Sequence, residues 1–174
     1  MTEIIESSHF IRFPDCDPFN HLNNARYLDY FINAREDHLQ LCYNFNIYKH
    51  AMKTGESWVI ANSQIAYLSP AMLMEKVYIQ SKILEWNAKD LIVEMQMWNN
   101  EKTKLKSVLR TKFIHFNIRI SQKINHSDYL RKVFNIHEQS SEKCLDFDSR
   151  LSEIKKNGYS KSSIAVIEAS PHIG

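Results

Sequence analysis

At 174 residues the chain is the size of one ordinary domain and is long enough to bury a sizeable core. Its 22 basic and 20 acidic residues are intermixed and sum to +2, which makes no electrostatic case for nucleic acid as the main partner. No apolar run approaches the roughly 20 residues that span a bilayer.

The start, Met1 to Glu6, carries acids and lacks the apolar stretch of a secretory signal. Three widely spaced cysteines, Cys16, Cys42 and Cys144, fit neither a disulfide framework nor a zinc knuckle. A soluble cytoplasmic protein is expected.

His9 to Phe13 alternates enough for a first strand, ended by Pro14. Asn23 or Asn24 is a good N-cap, and from Ala25 to about Cys42 the apolar residues adopt helical spacing, with Leu28, Phe31, Ile32 and Leu39 near one stripe. Such a helix would be about 27 Å long at 1.5 Å per residue. Asn44 to Glu56 reads as a loop with a short helical turn.

The period then changes from 3.6 to 2. Ser57 to Leu68, Lys76 to Trp86, Leu91 to Trp98 and Leu105 to Ile118 are strand candidates joined by short polar segments. Together they predict an antiparallel meander. Val77, Ile79, Ser81 and Ile83 share one face, as do Leu91, Val93, Met95 and Met97. One long early helix with an apolar stripe must be covered by that sheet, which predicts an α+β fold. Beyond residue 121 the pattern changes again. Asp128 to Phe134 and Ser141 to Lys156 look helical and Gly158 to Gly174 is unpatterned, so 1–121 is read as the main domain and 122–174 as an appended, mostly helical tail.

The stretch between first strand and helix is the most informative. Asp15, Asp17, His21, Asn23, Asn24 and Tyr27 place two carboxylates, an imidazole, two carboxamides and a phenol within thirteen residues. Carboxylates beside a helix N-terminus, where unpaired N–H groups point outward, can polarise and attack a carbonyl. The same residues could equally cap the turn and the helix.

This ordered pattern resembles the 4-hydroxybenzoyl-CoA thioesterase family and the related acyl-carrier-protein thioesterases, whose element order is that of the hot-dog fold. A second match lies in Ile65-Ala66-Tyr67-Leu68-Ser69-Pro70-Ala71. The resemblance covers about residues 8–120. It implies an antiparallel sheet wrapped around one long helix, and hydrolysis of an acyl-CoA or acyl-carrier-protein thioester.

By position, Asp17 matches the catalytic carboxylate, acting as nucleophile or general base. The backbone N–H of Asn24 matches the oxyanion donor. His21 and Asn23 match polar residues that orient the loop or assist catalysis, and Tyr27 completes the motif on the substrate side. The family's helix glutamate is absent from Tyr30-Phe31-Ile32-Asn33-Ala34-Arg35, which excludes a glutamate mechanism from that position, and Phe19 replaces an asparagine common in the acyl-carrier-protein branch.

The resemblance further implies a homodimer or homotetramer with each site shared across a subunit contact, and no cofactor other than the coenzyme A of the substrate. Arg110 and Lys112, with Arg119 and Lys123 beyond, are candidates for the carrier phosphates, although alternating charge on a strand also describes a solvated face. The other histidines, at 9, 38, 50, 115, 126, 137 and 172, fall at no metal-binding spacing, so no metal is expected. Two alternatives differ in class from a hydrolase acting through Asp17. One is a non-catalytic acyl-CoA-binding module. The other is an enoyl-CoA hydratase, whose Asp…His pattern is not found here.

Overall fold

The computed structural model describes residues 4–137, 146–159 and 164–167. Helix α1 (Tyr27–Tyr43) runs along a sheet built from β1 (Ile4–Phe10), β2 (Glu56–Tyr67), β3 (Lys76–Trp86), β4 (Asp90–Asn99), β5 (Leu105–Asn117), the two-residue β6 (Gln122–Lys123) and β7 (Ile164–Ile167). Helix α2 (Ile47–Thr54) follows α1, and α3 (Asp128–His137) and α4 (Phe147–Asn157) follow the sheet. Phe31 and Ala34 of α1 are fully buried against Ile79, Met95 and Leu109, one residue from each of β3, β4 and β5. Apolar burial of this kind, at about 25 cal/mol per Å2, holds the helix in the sheet's concavity. This is the expected α+β, hot-dog arrangement.

The strand order is β2-β5-β4-β3-β1-β7, with β6 beside β5. The meander expected of four consecutive strands therefore holds for β3, β4 and β5 only. Strand β2 pairs with β5, from Glu56 opposite Asn117 to Tyr67 opposite Ser107, and β1 takes the place beside β3. The reason lies between β2 and β3. Ser69-Pro70 and the residues to Glu75 run under the Asp17 loop instead of turning a hairpin: Leu22 N–H donates to the Ala71 carbonyl and Leu73 N–H to that of Asn20. The other edge of β2 has no strand partner among the described residues, and Val59 to Gln64 are exposed along it.

Three element assignments differ from the sequence expectation. The first strand is Ile4–Phe10, not His9–Phe13, because Ile4 and Ile5 are buried and Ile5 to Phe10 pair with β3, while Phe13–Asp15 forms a single 3-10 turn with Pro14 inside it. The segment read as a loop holds the two-turn helix α2, capped by Asn46 Oδ1 on Lys49 N–H and ended by Gly55. Gly55 has φ of +78° and a Cβ there would lie 2.7 Å from the Arg119 side chain, so no other residue fits without strain. An eight-residue helix is too short to signal itself by propensity and stands on its packing.

The third difference is β7, inside the span read as unpatterned, while α3 and α4 fall on the two expected tail helices. Leu130 of α3 joins the core around Phe31. Helix α4 lies on the outer face, where Ile154 packs with Trp98 and Val108. Strand β7 pairs with β1 in parallel. Residues 141–145 of the expected second tail helix lie outside the described residues.

His38 ties α1 to the sheet. It is fully buried, with Nε2 2.9 Å from Ser7 Oγ and Nδ1 2.7 Å from Ser81 Oγ. Burial, reinforced by the Arg35 guanidinium and by His9, holds its pKa well below the ordinary 6.5. Burial and neighbouring His126 push His115 down to about 4. The unfolded chain therefore binds protons that the folded one does not, and stability is present above about pH 6.5 and lost as pH falls toward 4. Urea unfolding should show a lower midpoint at pH 5 than at pH 7. Equal midpoints would exclude this coupling.

Candidate active site at the start of the long helix

The loop from Asp15 to Asn23 is closed by its own polar groups. Asp17 Oδ1 accepts the N–H of Phe19 at 2.9 Å and that of His21 at 3.0 Å, while Asp17 N–H donates to the His21 carbonyl at 2.7 Å. Asn20 takes a positive φ of 59°, which asparagine tolerates, and turns the chain back. The carboxylate is thereby held in one orientation, and Oδ2 accepts no hydrogen bond from the described residues. Capping and chemistry are compatible here: one oxygen holds the turn and the other is left without a hydrogen bond among the described residues.

Asp15 has a different task. Its Oδ2 accepts from the Tyr30 hydroxyl at 2.9 Å, its carbonyl accepts Asn23 N–H, and the Arg26 guanidinium stands 3.7 Å away. Burial, the bond to Asp15 and the Asp15 charge outweigh the lowering effect of the Arg12 N–H and push the Tyr30 phenol up to about 12, so it stays a donor. Asp15 and Tyr30 pin the loop to the helix.

Asn23 Oδ1 accepts Ala25 N–H at 3.0 Å and caps a 3-10 turn, Asn24–Arg26, that leads into α1. The N–H of Asn24 has no acceptor among the described residues, while its carbonyl accepts the Tyr67 hydroxyl at 3.0 Å. An unpaired N–H at the positive end of a 17-residue helix, anchored from the β2 end by Tyr67, has the electrostatics an oxyanion donor requires. Tyr27 lies beneath. It is 2% exposed and its hydroxyl accepts Ala71 N–H at 3.1 Å, so it positions the segment after β2 against the loop. The His21 ring is half-buried, 6.3 Å from that of Phe19.

The structure thus brings Asp17, His21, Asn23 and Asn24 together over Tyr27. It does not bring Arg110 and Lys112 to them. Alternation on β5 sends Leu109 and Thr111 toward α1, and Arg110 and Lys112 to the other face. There the Arg110 guanidinium lies 3.9 Å from Glu94 and over the Phe147 ring, and Lys112 pairs with Asp90 at 3.0 Å.

Further along the helix, an apolar cavity of about 140 Å3 opens between α1, β2, β5 and α3, lined by Ile32, Leu39, Trp58, Ile60, Phe113 and Leu130 among others. Its first helix residue is eight positions beyond Asn24, about 12 Å along the axis. Buried Arg35 borders it, with one guanidinium nitrogen 3.3 Å from Ser81 Oγ. At the far end His50, Glu56 and His115 converge. Sequence spacing gave no sign of that cluster, because its members lie on three separate elements.

A family model for the thioesterase-like superfamily matches residues 11–157, most of the chain. The protein belongs to that superfamily. The match spans the Asp17 loop, α1, β2 to β5 and α4 alike. Among curated relatives, the long-chain acyl-CoA thioesterase FadM of Escherichia coli K12 is 32% identical over 77 residues, which is 44% of this chain and 56% of FadM. The match thus spans little more than half of that relative's length.

Among solved structures, a 1,4-dihydroxy-2-naphthoyl-CoA thioesterase of Synechocystis superposes with a TM-score of 0.70 at 11% identity, covering 76% of this chain and 96% of that one. A Staphylococcus aureus protein solved in complex with CoA gives 0.67 at 12% identity, covering 92% and 89%. At these identities the structural likeness establishes the fold of this thioesterase-superfamily member. Among the described residues no helix is long and apolar enough to cross a membrane.

Proposed function

We propose that this superfamily member hydrolyses the thioester of an acyl coenzyme A in the cytoplasm. The observation that carries the reading is the Asp17 carboxylate oriented in the loop that leads to the unpaired Asn24 N–H, with an apolar cavity further along the helix that this N–H precedes. The names and coverage of the relatives support a CoA thioester as substrate class. Acyl carrier protein is the second carrier to test.

The thioester carbonyl lies against the Asn24 N–H with its acyl chain directed along α1. Asp17 Oδ2 then either attacks the acyl carbon, forming an anhydride that water hydrolyses, or takes the proton of a water that attacks. Either way the C–S bond breaks, the thiolate leaves with a proton, and charge on the carbonyl oxygen is met by the amide. Removing such a donor typically costs about 2.7–4 kcal/mol in the transition state. The reaction needs no cofactor beyond the substrate's own coenzyme A. His21 and Asn23 keep the loop closed.

The site is completed by a second copy of the chain. The free edge of the twelve-residue β2, exposed Val59 and Ile60, and Phe13 and Phe19 at 76% and 77% exposure beside the loop are apolar and hydrogen-bonding surface that a homodimer would cover. Incubation with acyl-CoAs of varied chain length and aromaticity should release free thiol, and activity should fall together with dimer content in sedimentation runs on dilution. Tight acyl-CoA binding with no thiol release would instead mark a non-catalytic binding module. An active monomer would exclude the shared site.

A further inference from the structure

At the end of α1 remote from Asp17, three elements bring ionisable side chains to one point. His50 comes from α2, Glu56 opens β2 and His115 lies near the end of β5. Glu56 Oε2 stands 3.7 Å from His50 Nε2 and 3.8 Å from His115 Nε2, and the three atoms lie within 4.8 Å of one another. Those gaps are too long for hydrogen bonds. Yet both Nε2 atoms are shut off from solvent with no partner in the structure, and His115 is only 1% exposed. Buried polar atoms left unsatisfied cost about 1–3 kcal/mol each, so two imidazole nitrogens facing the Glu56 carboxylate call for an occupant between them.

The spacing says what kind. Ligand atoms about 2.05 Å from a tetrahedral ion stand about 3.4 Å apart, so the two measured sides need close only slightly. His50, on the short α2 and the less buried of the two rings, has room to close the third. The rings are also held in place. His115 is stacked 4.6 Å from Trp58 and 5.0 Å from His126. His126 is itself occupied, with Nε2 accepting the Trp58 indole N–H at 3.1 Å and Nδ1 3.0 Å from the Asn87 carbonyl.

We propose that His50, Glu56 and His115 bind one divalent transition-metal ion of the zinc class, with water in the fourth position. Two imidazoles and a carboxylate suit zinc, cobalt or nickel and not the all-oxygen shells of calcium or magnesium. The ion takes no part in the chemistry at Asp17. It staples α2 to the β2–β5 ladder behind Phe45 and Trp58, which line the apolar cavity, and so fixes that part of the cavity wall.

The test uses the full, tag-free chain, stripped with chelator and titrated with cobalt(II). One equivalent should bind with visible absorption bands of a low-coordinate ion, and zinc should displace it and raise the thermal midpoint. Glu56→Gln, nearly isosteric, and His115→Ala should each weaken cobalt binding more than about tenfold. Should His115→Ala fail to fold, His50→Ala on the surface helix carries the comparison. Absence of stoichiometric binding overturns the proposal, and so does cobalt binding that the Glu56 and His50 substitutions leave unchanged.

Discussion

Asp17→Asn is expected to lower kcat by about 10²–10⁴-fold while the protein stays folded, the range for losing a general base. The substitution is chosen for what it leaves intact. The amide oxygen of Asn can still accept the Phe19 and His21 N–H groups that Asp17 Oδ1 accepts, so the loop keeps its closure and only the negative charge is lost. Asp17→Ala would confound the result by freeing both N–H groups. Steady-state thiol release and a thermal melt on the same sample separate chemistry from folding. A variant that melts like wild type and keeps more than about a tenth of kcat would remove Asp17 from the mechanism.

The second large effect is on stability. Glu94 is 1% exposed on the outer face of β4, and Arg150 of α4 grips it with two hydrogen bonds, at 2.9 and 3.1 Å. Lys82 stands 3.6 Å away and Arg110 3.9 Å. Burial alone would raise the Glu94 pKa, but the Arg150 bonds and the Lys82 charge outweigh it and hold the carboxyl below its ordinary value. Removing the anion takes a buried counter-charge from Arg150, Lys82 and Arg110 in a poorly solvated site, although Arg150 keeps Glu153 at 2.6 Å. Glu94→Ala should therefore cost about 3–5 kcal/mol, read as a fall in the urea midpoint. Because α4 is the element released, Arg150→Met should relieve part of the loss in the double variant. A single Glu94→Ala variant as stable as wild type would show that α4 stands on the Ile154, Trp98 and Val108 contacts alone.

The elements that could be read from the chain are those whose signal is local. The limits of β3, Lys76 to Trp86, follow from period-2 alternation, and the inward face of Val77, Ile79, Ser81 and Ile83 is the buried one. The long helix follows from its apolar stripe. The Asp17 turn is legible because its prolines, carboxylates and caps act over a few residues, and its hydrogen bonds join positions two to four apart.

What could not be read depends on contacts between distant residues. Periodicity locates a strand but not its neighbour, so β2 beside β5 had to come from the tertiary structure, as did α2, whose two turns are too few to form without packing. The same limit applies to charge. On a single strand Arg110 and Lys112 are merely cations, and only the arrival of Glu94 and Phe147 shows which face they serve. His50, Glu56 and His115 come from a helix, a strand start and a strand end, so no spacing along the chain could have joined them. Local rules settled the carboxylate turn and the helix it opens, because turn and cap energies act between near neighbours. The ion cluster, the cavity and the partners of each strand were decided by the closure of the sheet around α1, because only burial brings such groups together.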